Sequence, residues 1–344
     1  MVSESKLFDR ESHVKFFVMM VDTLPYHYQR EDIHRLTLAY FAVSGLAILN
    51  ALDRVDKERL ANWVLSLQVI PREKQALEHG HFFGFCGSST FKLPIDTTGV
   101  LNHNGSHLAS TYCALAILKM IGHEFSTIVC EFISTTMKCL QQPDGSFMSI
   151  RTGAETDLRF VFCAAAISSM LNDWSGLNKI KAKDYILSCQ SYDGGFGLIP
   201  GAESHGGATY CAISALRLMG FIDDNFVSQC TSSVIDMQPV LEWSLQRQTA
   251  DGGFQGRPNK ASDTCYAFWV GGVLRMLGAD HFDKNSLREF LLTCQSKFGG
   301  FSKHPWDFPD LYHSYYGVCA FSLLQEPGLV PLCFELGMPE PFGI

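Results

Sequence analysis

A short turn recurs along this chain at spacings near fifty residues, and it limits the possible folds more than any other feature. It reads Gln142-Pro143-Asp144-Gly145-Ser146-Phe147, then Gln190-Ser191-Tyr192-Asp193-Gly194-Gly195-Phe196, with further copies at Gln248 to Phe254 and Gln295 to Phe301. Asp-Gly and Gly-Gly supply a tight turn, and the Phe can plug back into a core. Before each copy lies an amphipathic stretch with an apolar residue five positions before the Gln: Met137, Tyr185, Trp243 and Phe290. Residues 56–68, with Trp63 and Gln68, resemble a further copy. After each turn comes a stretch richer in small and apolar residues, and these align on Tyr40, Tyr112, Phe162, Tyr210, Tyr266 and Tyr316. A helix that is apolar nearly all round is buried, and one with a single apolar stripe belongs to an outer layer. The expected fold is therefore all-α: an α/α barrel, or toroid, of about six helix-hairpin repeats. It forms one domain over residues 1–344, with an N-terminal helical extension at about 1–30. An open α-solenoid is the alternative. The contrast between inner and outer stretches and the near-constant turn favour closure.

The 344 residues are 47% hydrophobic and 18% charged, enough for a large core in a globular protein. A net charge of −8 argues against a general nucleic-acid binder, so any anion site is a local cationic pocket. The N-terminus has no apolar segment of the signal-peptide kind, and the longest apolar stretch, Tyr40 to Leu52, is too short to span a bilayer. The expectation is a protein that is not integral to a membrane. Twelve cysteines without CxxC pairs suggest buried thiols in a reducing compartment, with a cytoplasmic location as the default.

Residues 256–269 concentrate chemistry. Arg257 and Lys260 put two cations beside Asp263 and Cys265, and Tyr266 follows. Cations with a phenol suit a polyanionic leaving group such as diphosphate. A carboxylate and a thiolate two residues apart suit zinc. The repeat register brings in more. Three residues before the aligned aromatics lie Thr37, Ala109, Arg159, Gly207, Asp263 and His313, which would form one ring at one end of the barrel. His107 and His205 lie five before, on the same rim, and Cys265 one before. Asp263, Cys265 and His313 then converge on adjacent inner helices, a zinc set with an open fourth position for a substrate thiolate. Each residue alone has a simpler reading: Asp263 as a helix N-cap, Cys265 as packing, His313 and His205 as hydrogen-bonded turn residues, Arg257 and Lys260 as solvated charges. The shared rim is what raises them together.

These residues carry a resemblance. Glu203-Ser204-His205-Gly206-Gly207, Gly256-Arg257-Pro258-Asn259-Lys260, Asp263-Thr264-Cys265-Tyr266, Asp310-Leu311-Tyr312-His313 and the Gln…Asp-Gly-Gly-Phe repeats are similar to those of protein prenyltransferase β subunits, over essentially the whole chain. The resemblance implies an obligate complex with a crescent-shaped helical α subunit. It also implies transfer of an isoprenoid from its diphosphate to a C-terminal Cys of a protein. It makes Asp263, Cys265 and His313 ligands of one Zn2+, and gives His205, Arg257, Lys260 and Tyr266 to the diphosphate.

Three relatives share this motif set: the farnesyl, type I geranylgeranyl and Rab geranylgeranyl enzymes. Thr37 stands where the farnesyl enzyme has a bulky Trp, leaving room for a fourth isoprene unit. Lys303 stands where the farnesyl and Rab enzymes have a magnesium-binding Asp, and its ammonium can replace that metal's charge. Both point to the type I enzyme, with zinc and without required magnesium, acting on CaaX-ending proteins such as Rho-type small GTPases. Phe41 matches a pocket residue. The resemblance places the CaaX X side chain near Thr37, His107, Ala109 and Phe160, a roomy apolar set preferring Leu or Phe. Arg159 lies beside the peptide or the diphosphate. Tyr112, Tyr210, Trp269 and Tyr312 extend the isoprenoid and peptide pocket. Two further readings compete. A class II terpene cyclase shares the barrel, but its acidic Asp-x-Asp-Asp motif is missing, and Asp223-Asp224 reads as a polar turn. A binding scaffold with inert rim residues would hold no zinc.

Overall fold

The computed structural model describes residues 7–69, 83–91, 106–150, 155–223, 236–279 and 281–342. Twelve α-helices are found among them. Six form an inner ring: α2 (Arg35–Ile48), α4 (Leu108–Met120), α6 (Leu158–Leu171), α8 (Gly206–Leu218), α10 (Thr264–Met276) and α12 (Leu311–Leu323). Each packs against the next, and α12 packs against α2, so the ring closes. The outer layer is α1 (Arg10–Asp22), α3 (Lys57–Ser66), α5 (Thr127–Leu140), α7 (Lys179–Ser188), α9 (Gln238–Leu245) and α11 (Lys284–Cys294). The expected toroid is present, and the open solenoid is excluded.

The inner helices are buried nearly all round; in α4 and α6 only two or three positions of each escape burial. The outer helices bury one stripe, as with Leu60 and Val64 of α3 or Ala182, Tyr185 and Ile186 of α7. The repeated turn holds the two layers together. Phe147, Phe196, Phe254 and Phe301 are fully buried, each bridged to the Gln six residues before it. In the first copy that partner is Gln141, so the register read from Gln142 is corrected by one residue. The reason is chemical. Gln141 exchanges two hydrogen bonds with the backbone of Asn178, the N-cap of α7. Gln248 does the same with Asp283, the N-cap of α11. Gln295 bonds Asp9 and Leu7 at the start of α1. Three of the four turns thereby hold the start of the next outer helix, and the N-terminal α1 serves as the outer helix for the last turn. The turn glycine needs both its freedom and its bareness: Gly252 has φ +87°, and a Cβ there would stand 2.3 Å from the Ser286 carbonyl oxygen.

Three two-residue antiparallel pairs accompany the helices: β1 (Gln68–Val69) with β2 (Gly84–Phe85), β3 (Phe301–Ser302) with β4 (Pro309–Asp310), and β5 (Leu332–Cys333) with β6 (Met338–Pro339). The β3–β4 pair, with Phe301 opposite Asp310, fixes the loop that carries Lys303. Inside the ring, Tyr40, Tyr112, Phe162, Tyr210, Phe268 and Tyr315 form a belt, with Tyr316 bridging Phe268 and Tyr315. The hydroxyls of Tyr40, Tyr112 and Tyr210 donate to the carbonyls of Gly337, Leu336 and Phe334 at 2.6 Å, and Tyr315 also donates to Gly337. The C-terminal segment therefore crosses the barrel beneath the belt, away from the helix N-termini. No helix among the described residues is long and apolar enough to cross a membrane. The described cysteines are all free thiols.

Candidate active site

Five of the inner helices begin with the same device. His107, Asp157, His205, Asp263 and Asp310 are N-caps in extended backbone, each accepting from an N–H two or three residues on. The belt aromatics follow five residues later, at Tyr112, Phe162, Tyr210, Phe268 and Tyr315. This corrects the sequence register in the last two repeats, where Tyr266 and Tyr316 stood in for Phe268 and Tyr315. The rim ring is accordingly Thr37, Ala109, Arg159, Gly207, Cys265 and Tyr312; Asp263 is an N-cap and His313 lies one position further in. Several aromatics crowd each of these helices, and only the cap fixes which one faces its neighbours.

The corrected register keeps the metal set together. Ligand atoms of Asp263, Cys265 and His313 all lie within 4.8 Å of one another. His313 Nε2 is 3.2 Å from Asp263 Oδ1, and its Nδ1 is held at 2.6 Å by Asp310 Oδ2. Asp310 was absent from the sequence-derived site, although the Asp-x-x-His spacing at a helix start was the available signal. A carboxylate on Nδ1 directs Nε2 toward a metal. Burial favours a neutral His313, but the hydrogen bonds to Asp263 and Asp310 outweigh it and hold its pKa up at about 9. Burial pushes the Asp263 carboxyl up, and His313 more than reverses that, leaving it below its ordinary value. Burial and then Asp263 push the Cys265 thiol well up. The proton on His313 thus compensates the buried Asp263 carboxylate. One hard, one borderline and one soft donor, two of them buried, fit a divalent metal of the zinc type.

Lys303 Nζ lies 3.8 Å from Asp263 Oδ2, at the open edge of this set. Its carbonyl accepts from the Thr264 N–H, which ties the Lys303 loop to the start of α10. On the other side, Tyr266 Oη meets His205 Nε2 at 2.8 Å. Burial, then the Arg257 charge, lowers the His205 pKa, which favours its neutral form. Arg257 is paired with Glu203 at 2.6 Å on a half-exposed surface, a contact that an incoming anion can exchange. Gly256 lets this loop lie against Tyr266: a Cβ would stand 2.1 Å from the phenol ring. Lys260 extends from the same loop and is exposed.

Around the barrel mouth, Thr37 Oγ1 is 3.8 Å from Cys113 Sγ, and Phe41 packs against Tyr312, Tyr315 and Tyr316. Tyr210 meets Trp269, whose Nε1 donates to Tyr312 Oη at 3.2 Å. His107 meets Phe160 edge-on, with half-buried Ala109 two residues on. Arg159 is exposed and engaged with Asp157 and Glu155. Tyr112 is buried in the belt with its hydroxyl committed to Tyr40 and Leu336. The arrangement sets a metal-ligand trio, a cationic and phenolic group and an aromatic wall around one opening.

Known proteins share this architecture. The model of the prenyltransferase alpha-alpha toroid domain matches residues 8–338. The chain is 61% identical to the geranylgeranyl transferase type-1 subunit beta of Arabidopsis thaliana, over 98% of this chain and 90% of that protein. It is 36% identical to the Dictyostelium discoideum protein of the same description, over 93% and 92%. The structure of Candida albicans protein geranylgeranyltransferase-I complexed with GGPP superposes with a TM-score of 0.84 at 24% identity, covering 97% of both chains. With the toroid built and the family matched along nearly its full length, the chain belongs to the prenyltransferase alpha-alpha toroid family, among the β subunits of the protein prenyltransferases.

Proposed function

We propose that this chain is the catalytic β subunit of a heterodimeric, zinc-dependent protein geranylgeranyltransferase type I. It moves geranylgeranyl from geranylgeranyl diphosphate to the Cys of C-terminal CaaX sequences ending in Leu or Phe. The observation that carries the reading is the meeting of Asp263, Cys265 and His313 beside Lys303. These three residues would hold the zinc. When bound, zinc lowers the pKa of a coordinated substrate thiol so that it is a thiolate near neutral pH.

The chain's own residues do the rest. Arg257, Lys260, Lys303 and the Tyr266 hydroxyl bind the diphosphate and stabilise the charge that grows on it as the C1–O bond breaks. His205 holds Tyr266 in place through the 2.8 Å contact and offers a second polar group to the anion. Lys303 supplies positive charge where magnesium would otherwise be needed. Trp269, Tyr312, Phe41 and Tyr210 form an apolar wall for the isoprenoid and face the developing allylic cation. Thr37, His107, Ala109 and Phe160 receive the X side chain, with Arg159 beside the peptide. The partner is a prenyltransferase α subunit, the substrates are proteins such as Rho-type small GTPases, and the setting is the cytoplasm.

The test is co-expression with an α subunit. Transfer from farnesyl and geranylgeranyl diphosphate to peptides ending in Leu or Ser is compared, with and without magnesium. Preference for geranylgeranyl and Leu without magnesium is expected. Preference for farnesyl and Ser would assign the chain to the farnesyl enzyme instead.

A further inference from the structure

Three successive loops run from a turn Phe to the cap of an inner helix with the same spacing: Phe196 to His205, Phe254 to Asp263 and Phe301 to Asp310. Equal spacing makes their positions equivalent. Two residues after the Phe, each loop offers a carbonyl to the first N–H of the preceding inner helix: Leu198 to Leu158 at 3.0 Å, Gly256 to Gly206 at 2.8 Å and Lys303 to Thr264 at 3.1 Å. The next position holds Ile199, Arg257 and His304 in turn. Ile199 is exposed, Arg257 pairs with the exposed Glu203 carboxylate, and His304 Nδ1 meets the Ser262 carbonyl oxygen at 2.7 Å. A carbonyl oxygen only accepts, so Nδ1 carries the proton and donates. Arg257 can leave Glu203 for an anion, whereas His304 is tied to backbone and acts as an anchor.

Ser262 is a fixed point for that anchor. It is buried, and its hydroxyl donates to Asp251 of the turn at 2.7 Å. Ser262 and Thr264 flank the proposed metal ligand Asp263, and both hold the Lys303 loop. Thr264 does so through its N–H and through its hydroxyl, which donates to the Ser302 carbonyl at 2.7 Å; Ser262 does so through His304. Farther along the loop, Trp306 and Phe308 are 94% and 95% exposed and add little packing.

We propose that His304 is a positioning residue for Lys303. Its Nδ1–H holds the loop against Ser262, so the Lys303 ammonium stays 3.8 Å from Asp263 Oδ2, at the edge of the metal-ligand trio. A lysine ammonium on its four-carbon stem is a mobile point charge, and a misplacement of about 1 Å at a reacting site can cost about 100-fold in rate. The inference rests on the diphosphate role given to Lys303 above and adds the residue that keeps this charge in place.

The experiment uses the heterodimer and reads single-turnover transfer of geranylgeranyl together with affinity for inorganic pyrophosphate. His304→Leu keeps bulk and removes the donor, so transfer is expected to slow about tenfold and pyrophosphate to bind more weakly. His304→Asn places a side-chain N–H as many bonds from Cα as Nδ1 and is expected to recover most of both. In a Lys303→Ala background, His304→Leu is expected to add less than about twofold, because residues that act through one charge are not additive. An equal loss in that background would show His304 acting apart from Lys303 and overturns the proposal. Unslowed transfer in His304→Leu overturns it, and so does a loss in His304→Asn as large as in His304→Leu. Normal transfer by Lys303→Ala beside slow transfer by His304→Leu would overturn the role of Lys303 itself, and the proposal with it.

Discussion

Asp310 holds His313 twice: Oδ1 accepts the His313 backbone N–H at 2.8 Å, and Oδ2 accepts Nδ1 at 2.6 Å. One carboxylate thus starts helix α12 and fixes the ring that turns Nε2 toward Asp263. Backbone placement and ring orientation are set by the same side chain.

Asp310→Asn separates the two tasks. An Asn can still cap the helix, whereas the charge behind the imidazole is lost. Outer partners of this kind are worth about 10–100-fold in metal affinity. A fall of at least about tenfold is expected, read by competition with a chelator, with little change in the melting temperature of the metal-stripped protein. Unaltered metal affinity would show that the imidazole needs no help.

The metal-free site has a pH signature. The His313 pKa is raised from 6.5 to about 9 in the folded chain. The folded state therefore binds this proton more tightly than the unfolded state. Its contribution to stability is complete below about pH 6.5 and is lost as pH rises through about 9. Thermal melts of the metal-stripped protein should decline over that interval, while metal uptake strengthens because ligation needs the neutral ring. His313→Gln should flatten the decline. An equal slope in both proteins would place the titration elsewhere.

Much of this was legible before the structure because one short motif carries several physical duties at once. The Gly of each turn meets a carbonyl, the Phe fills the core, and in three of the four the Gln bonds the start of the next outer helix. Four clear copies of the turn and six aligned small, apolar stretches imply a closed ring, and the ring brings His313 to Cys265. The rim register was less legible. Tyr266 and Phe268, or Tyr315 and Tyr316, are equally aromatic in a sequence, and only the N-caps Asp263 and Asp310 decide which ring joins the belt. The α1 helix was read as an extension because its partner turn, around Gln295, lies at the far end of the chain.

Gln248 tests the turn logic. Its side chain makes bonds to Gly252 O at 3.0 Å, Asp283 O at 2.9 Å and Asp283 N at 2.9 Å. With each hydrogen bond contributing about 1 kcal/mol or less at a part-exposed site, Gln248→Ala should destabilise the fold by about 2 kcal/mol. A lowered denaturation midpoint with normal isoprenoid transfer is expected. A change below about 0.5 kcal/mol would mean that the turn is held by its Phe alone.

Lys303 sits 3.8 Å from Asp263 Oδ2 with its side chain 52% exposed. At that exposure the pair contributes only about 0–1 kcal/mol to folding, so the fold has little need of the charge that the proposed function assigns to the diphosphate. Lys303→Ala should leave the melting temperature nearly unchanged and slow transfer by about 10–100-fold, in line with loss of one charged group at a developing anion. Lys303→Asp should make transfer depend on magnesium. A magnesium titration with no effect on that variant would sink the role assigned to the ammonium.

On the proposed function, Thr37 sets how long a lipid the barrel takes. It stands on α2 one turn above Phe41, with Cys113 Sγ 3.8 Å from its hydroxyl. Thr37→Trp would fill the space above Phe41 and Cys113 with an indole while leaving the Asp263, Cys265 and His313 trio untouched. Each methylene denied burial costs about 0.8 kcal/mol, so excluding even two of them shifts lipid preference by more than tenfold. Competition between farnesyl and geranylgeranyl diphosphate should therefore swing toward farnesyl, with metal content unchanged. If the ratio stays where it was, the end of the isoprenoid does not lie against α2, and the wall that measures its length has to be sought on another inner helix.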